Sequence, residues 1–158
     1  MSTIFKCEEI IKKYIPSITN IIIYPTSEKF LMNVYYKNKS GKFDETLIPK
    51  IKDLLPCHLE YNFKPFKEAS VDNVPVKLIL PESIKQLALE TDGTLKSFTN
   101  VVQKALHELC PIEITLSQDE CVINIETNSK LSDSDINKYS AYALAVAPIG
   151  CKINLICK

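Results

Sequence analysis

Residues 20–36 read NIIIYPTSEKFLMNVYY, and residues 111–127 read PIEITLSQDECVINIET. Each is a pair of short runs rich in β-branched or aromatic residues around a polar turn, the pattern of a β-hairpin. In the first, NIIIY over 20–24 and FLMNVYY over 30–36 read as strands around PTSEK. In the second, IEITL over 112–116 and CVINIET over 121–127 read as strands around SQDE. A shift of 91 lays Ile21 on Ile112, Ile23 on Ile114, Asn33 on Asn124 and Val34 on Ile125.

The same shift extends without a gap from residue 9 to about residue 39 and lays Lys13 on Lys104. One inserted residue in the following loop changes it to 92, which holds through residue 63 and pairs Pro56 with Pro148 and Asn62 with Asn154. The order of elements repeats with the residues. KCEEIIKKYI over 6–15 places Cys7, Ile10, Ile11 and Tyr14 on one helical side, and Pro16 and Ser17 end it. Residues 94–109 form the matching helix, with a stripe of Leu95, Phe98, Val101, Val102, Ala105, Leu106 and Leu109 before Pro111. After each hairpin comes a second helix. The first spans 46–55, with Leu47, Ile48, Ile51, Leu54 and Leu55 on one face, Thr46 as N-cap and Pro49 in the first turn, where its missing N–H costs nothing. The second spans 136–147. Pro56 and Pro148 close these helices, and HLEYNF over 58–63 and CKINLIC over 151–157 follow as strands.

The expected fold class is therefore α+β: two tandem α-β-β-α-β units, each a three-stranded sheet covered by two helices, in residues 1–65 and 94–158. Residues 66–93 join them as a linker in which VKLIL over 76–80 is a candidate strand and PESIKQLALE over 81–90 a candidate helix. Units this small bury a modest fraction of their surface, so a shared core or a partner is expected.

Composition excludes several classes. The 158 residues are 46% hydrophobic, as in a folded domain, and carry 19 Lys+Arg against 19 Asp+Glu. Balanced charge offers little long-range attraction to a phosphate backbone, so no nucleic-acid partner is expected. Three glycines leave no material for a Gly-rich phosphate loop. No apolar run approaches a membrane span, and no signal peptide is visible at the Met-Ser-Thr start. The six cysteines (7, 57, 110, 121, 151 and 157) lack Cys-x-x-Cys spacing and read as reduced, mostly core thiols.

His58 has no Ser, Asp or Glu pattern around it that would make a triad. His107 and Cys110 have ligand spacing but no second pair to complete a metal site. Cys151 and Cys157 share a strand face with Ile153 and Leu155 between them. Asp133 and Asp135, alternating with Ser132 and Ser134, read as helix caps because a cation loop wants more oxygens and a glycine turn. Asp44 and Glu45 are adjacent and read as solvated. Lys37, Lys39 and Lys42, preceded by Tyr35 and Tyr36, make a basic loop that lacks arginine and has no counterpart in the second half. No catalytic, cofactor-binding or metal residue is assigned, no cofactor is expected, and the chain reads as a structural part, not an enzyme.

Residues 55–61, Leu-Pro-Cys-His-Leu-Glu-Tyr, resemble the Pro-Ala-His-Leu signature that closes the YmfQ/XkdU-like tail proteins of contractile-tailed phages, with Cys57 in the alanine place. Residues 147–153, Ala-Pro-Ile-Gly-Cys-Lys-Ile, are similar to the Pro-hydrophobic-Gly ending of baseplate J-like wedge proteins. The resemblance covers the hairpin-to-strand segment of each half. The family's long N-terminal region is not matched, and its terminal module is doubled here. It implies a structural component of a phage tail or phage-like particle acting in baseplate wedge assembly or attachment. It further implies other tail or baseplate proteins or a second copy as partners, no membrane, and a place in the virion after assembly in host cytoplasm. The competing expectations are an RNA-binding module, for which Tyr35, Tyr36, Tyr61 and Phe63 would be the exposed aromatics but no Gly-x-x-Gly loop exists, and a small ligand-binding domain or enzyme.

Overall fold

The computed structural model describes residues 2–75, 79–117 and 121–158. It contains two compact units, Lys6–Leu78 and Met1–Phe5 with Ile79–Lys158. Each is built on a three-stranded mixed sheet flanked by helices.

In the first unit α1 (Ile4–Tyr14) leads into β1 (Ile18–Pro25) and β2 (Leu31–Asn38), then α2 (Ile48–Leu54) and β3 (Glu60–Pro65). Strand β2 is central, antiparallel to β1 and parallel to β3. Asp44, not Thr46, starts the second helix: its carboxylate accepts the Thr46 N–H at 3.0 Å and caps a 3-10 turn over Glu45–Leu47 that runs into α2. Pro49 still falls in the first turn of α2, where it breaks no helical hydrogen bond. The expected linker is not featureless, since α3 (Glu68–Val71) follows β3 directly. Most of the candidate strand over 76–80 lies outside the described residues.

In the second unit α4 (Glu82–Glu90) and α5 (Leu95–Ala105) precede β4 (Ile112–Ser117), β5 (Val122–Thr127), α6 (Asp133–Val146) and β6 (Lys152–Cys157). Thr94 caps α5 by accepting the Ser97 N–H, and a 3-10 turn over His107–Leu109 takes the last residues expected to be helical. Ser132 caps α6 three residues earlier than expected, because its hydroxyl accepts the Asp135 N–H. The chain's own N-terminal segment completes this unit. Ile149 N–H donates to the Ser2 carbonyl at 2.8 Å, Thr3 bridges Pro148, and the buried Thr3 hydroxyl donates to the Ala88 carbonyl at 3.0 Å.

The two units are copies down to their hydrogen bonds. Adding 91 to α1 gives the bounds of α5, and adding 92 to β3 gives those of β6. The antiparallel partners Ile21/Tyr36, Ile23/Val34 and Pro25/Met32 become Ile112/Thr127, Ile114/Ile125 and Leu116/Ile123. All six parallel partners of β2 and β3 recur in β5 and β6, among them Asn33/Asn62 as Asn124/Asn154. Phe30 and Cys121 both take left-handed backbone angles (φ 64° and 53°), and each turns its carbonyl to accept the first N–H of the parallel strand, from Glu60 at 2.8 Å and Lys152 at 2.9 Å. A non-glycine residue held there costs about 1–2 kcal/mol, so the returning strand is what holds these two in place.

The cores match in the same way. Phe98, Val102, Leu106, Ile123, Ile125, Ala143, Ala147 and Cys151 are buried in one cluster of the second unit. Their counterparts Cys7, Ile11, Ile15, Met32, Val34, Ile51, Leu55 and Leu59 are all buried in the first. Tyr14, expected on the apolar side of its helix, is 63% exposed, and the small Ala105 occupies the corresponding buried place.

Outside the cores the copies differ. In the first unit Tyr35, Ala69 and Val74 are buried together with Ile22, Tyr24 and Phe66, so α3 and its flanks cover the sheet face opposite α1 and α2. In the second, α4 instead adds Ile84 and Ala88 to the helix-covered core. Its opposite sheet face carries Glu113, Thr115, Asn124, Glu126 and Asn154, with Lys158 paired to Glu113 at 3.2 Å and Glu126 at 2.8 Å. The edges differ too. The Glu8 carboxyl on α1 accepts the outward Ile23 N–H of edge strand β1 at 2.8 Å, and Pro25 on that edge has no N–H to offer. Thr99 stands where Glu8 would be in the second unit.

Two outcomes follow from this geometry. At Gly93 (φ +69°) an added Cβ would meet Ser2 backbone atoms at 2.7 Å, whereas at Gly41 (φ +76°) it would meet nothing within 4 Å. Gly41→Ala should therefore cost only the conformational strain of about 1–2 kcal/mol. Gly93→Ala should cost clearly more in urea unfolding and should speed hydrogen exchange at the Ile149 amide; equal losses at the two sites would refute the Ser2 docking. The second outcome concerns Glu8, whose carboxyl is pushed up to about 8 by burial, partly offset by the Ile23 N–H. The folded chain then holds a proton that the unfolded chain releases above about 4.5, so stability falls as pH rises from there to about 8 and is level beyond. Glu8→Gln, which keeps the acceptor without the charge, should flatten that part of the curve in urea midpoints measured across the range.

Candidate functional site

The residues singled out from sequence do not converge on one site. His58 lies exposed in the turn between α2 and β3. His107 and Cys110 are both exposed and turn to different backbone carbonyls: His107 Nδ1 lies 3.3 Å from the Lys104 carbonyl, and Cys110 Sγ lies 3.6 Å from those of Gln103 and Leu106. Among the described residues no group of three or more His, Cys, Asp or Glu side chains could hold a metal ion. Cys151 is buried, and its thiol is pushed up to about 11 by that burial, while Cys157 at the far end of β6 is exposed. Of the remaining cysteines Cys7 is buried, Cys121 half-buried, and Cys57 and Cys110 exposed. Asp133 and Asp135 sit in the first turn of α6. Asp44 is held below the usual carboxylate range by the Thr46 hydroxyl and amide, and Glu45 begins the 3-10 turn beside it.

The basic loop is different. Lys37 is the last residue but one of β2 and Lys42 closes the loop, and the structure brings to them two residues placed in the linker by sequence, Phe66 and Lys67, together with Phe43. These side chains line an open recess of about 560 Å³ at the carboxyl ends of the parallel strands β2 and β3. Lys39 is exposed on the same loop. The walls are tied down. Asn38 Oδ1 accepts the Ser40 and Lys42 N–H groups at 3.0 and 2.9 Å, the Asn38 N–H donates to the Lys42 carbonyl at 2.9 Å, and the Phe66 N–H extends the parallel ladder by donating to Tyr36 at 3.0 Å. Lys37 Nζ lies 5.2 Å from the centre of the Phe66 ring, and Phe43 packs at 4.8 Å on Tyr36. Lys64-Pro65-Phe66-Lys67, basic and aromatic immediately after a strand, was the sequence signal for the second wall.

Beside this recess, on the covered face of the first sheet, runs a polar chain. Asn33 Nδ2 donates to the Tyr35 hydroxyl at 3.0 Å, which donates to Asp72 at 2.7 Å, and Lys64 donates to the same carboxylate oxygen at 3.0 Å. Tyr35 and Lys64 hold Asp72 below the usual carboxylate range, and burial with the Asp72 contact pushes the Tyr35 hydroxyl up to about 12. In the second unit Asn154 donates directly to its opposite number Asn124 at 3.1 Å. Glu126 replaces Tyr35 there, so nothing draws the asparagine away.

Tyr35→Phe should destabilise the chain by about 1–3 kcal/mol, the cost of leaving partly buried polar groups without their hydrogen bonds. Denaturant unfolding beside Asp72→Asn tests it: a phenylalanine variant as stable as the parent would mean the chain of bonds contributes nothing.

No membrane-crossing helix is found among the described residues: none is long and apolar enough. Comparison of the chain with protein-family models, with curated proteins and with solved structures gave no match in any of the three.

Proposed function

We propose that the chain is a structural component of a contractile phage tail or phage-like particle, working in baseplate wedge assembly or attachment through protein–protein contacts. The observation that carries this reading is one frame used twice with two different exteriors. Core positions, registers and the hydrogen bonds at both ends of the parallel ladder repeat, while the outer sheet face is covered in one unit and polar in the other. An assembly part needs distinct contact surfaces on a stiff frame, and duplication followed by divergence of the exterior supplies them.

Two further features support it. The Leu55–Tyr61 segment that carries the family resemblance is a helix stop, a tight turn and the start of β3. Leu55 already adopts an extended conformation (ψ 153°), as a residue before proline prefers, and Ala147 before Pro148 does the same (ψ 154°). His58 is architectural in this reading. Among the described residues no carboxyl caps edge strand β4 as Glu8 caps β1, and Leu116 on it is 37% exposed, so a strand of a partner can add there. The proposed location is the virion, reached from host cytoplasm.

Co-expression with tube, sheath and baseplate proteins encoded beside it should yield a stable complex in size-exclusion chromatography with mass measurement. Leu116→Lys should keep the fold and reduce complex formation. A chain that stays alone beside every such protein would sink the reading, as would an enzymatic activity lost in a normally folded His58→Ala variant.

A further inference from the structure

We infer that the recess between Lys37, Lys42, Phe43, Phe66 and Lys67 is a binding site for a nucleotide, its phosphate held by the lysines and its base against the rings. Four observations converge on it. First, the charged side chains lining the recess are all lysines, and among the described residues none of the three makes an ion pair. Lys12, Lys64, Lys85 and Lys158, by contrast, are each paired with a carboxylate. Two acids of the same unit are engaged elsewhere: the Asp44 carboxylate caps Thr46, and Asp72 holds Lys64 and Tyr35. Three cations around one recess, with no ion pair among the described residues, favour an anionic ligand.

Second, Phe43 and Phe66 are only half-buried between those lysines, so the recess offers aromatic area where a cation-only surface would offer none. A ligand that uses both is anionic at one end and flat and apolar at the other, which describes a nucleotide phosphate with its base. Third, about 560 Å³ is within the range of small-ligand sites and too large for a bare inorganic anion. Fourth, the frame is prepared: the Asn38 hydrogen bonds and the Phe66 N–H to Tyr36 fix both walls, so little ordering is left to the binding step.

The second unit is an internal control. The same end of its sheet has Asn128 for Lys37 and Lys158 for Phe66, and the recess there is about 100 Å³, with Glu113 and Glu126 in its lining. Charge balance and the loss of the ring remove both halves of the recognition, so the site belongs to the first unit alone.

Free nucleotide and single-stranded nucleic acid share this chemistry, and the experiment separates them. The full chain is titrated at low salt with AMP, followed by NMR shifts, and with a fluorescein-labelled dT12, followed by anisotropy. The site is supported if AMP binds and dT12 binds no better, which assigns free nucleotide. It is equally supported if dT12 binds at least about tenfold tighter, with a salt slope that each lysine substitution lowers by about 0.7, which assigns single strand. In either case Lys67→Gln and Phe66→Leu, checked for folding by circular dichroism, should each weaken binding about tenfold, while Lys138→Gln in the second unit should not. The inference fails if neither probe binds, if the two variants bind like the parent, or if polyglutamate competes as well as dT12, which would make the recess a general acceptor of acidic chains. None of these results depends on the tail-assembly reading, which stands or falls on complex formation.

Discussion

The third strand of each unit has to come back parallel to the second, and most of the fold is a consequence. A parallel return cannot be made by a tight turn, so the chain must cross the sheet, and a helix is the compact way to do so. The helix must then stop cleanly. Leu55 and Ala147 go extended before Pro56 and Pro148, and the following turn delivers Glu60 and Lys152 beside the carbonyls of Phe30 and Cys121. Those two residues accept left-handed strain to offer that carbonyl. The far end is closed just as consistently, by Phe66 N–H to Tyr36 and Lys158 N–H to Thr127. A ladder bounded by the same hydrogen bonds at both ends has one register, and a one-residue slip would turn Val34 and Ile125 out of the cores.

With the frame fixed this tightly, variation is confined to what the ladder does not use. Small and large residues exchange across equivalent core positions, Cys7 for Phe98 and Ile51 for Ala143, so each unit fills its own volume with a different set. On the outer faces the divergence is chemical. Tyr35 became the hub of a bonded chain to Asp72 and Lys64 under a covering segment, while Glu126 at the same place pairs with Lys158 in a polar face. The edge of β1 is closed by a carboxyl and a proline, and among the described residues no carboxyl closes that of β4. The basic recess arises in these freed positions.

Much of this was legible in the chain. Hairpins, helices and the breaks at Pro56 and Pro148 follow from periodicity and from what proline forbids. Even the aligned asparagines, Asn33 with Asn124 and Asn62 with Asn154, turned out to face each other across the parallel strands of each unit. The misreadings share a cause. Tyr14 satisfies the helical spacing yet is exposed while its counterpart Ala105 is buried, because periodicity says which side of a helix is apolar and not what covers each position on it. Asp44 displaced Thr46 as cap because a 3-10 turn precedes α2, and a choice between neighbouring capping residues is settled by backbone angles. The recess went unread because its walls lie in segments far apart in sequence, Lys37–Phe43 and Phe66–Lys67, and only the parallel pairing of β2 with β3 puts them together.

The sequence by itself determined the order of elements within each α-β-β-α-β unit and the internal repeat, because these depend on local alternation of apolar and polar residues and on proline. It also determined the balanced charge that discourages long-range attraction to nucleic acid. Tertiary structure alone decided which lysines lack carboxylate partners, which sheet face α3 covers, and that the N-terminal Ser2–Phe5 segment completes the other unit through Ala88 and Ile149. Pairing of charges and burial of faces are sums over neighbours distant in the chain, and no local pattern records which neighbours those are.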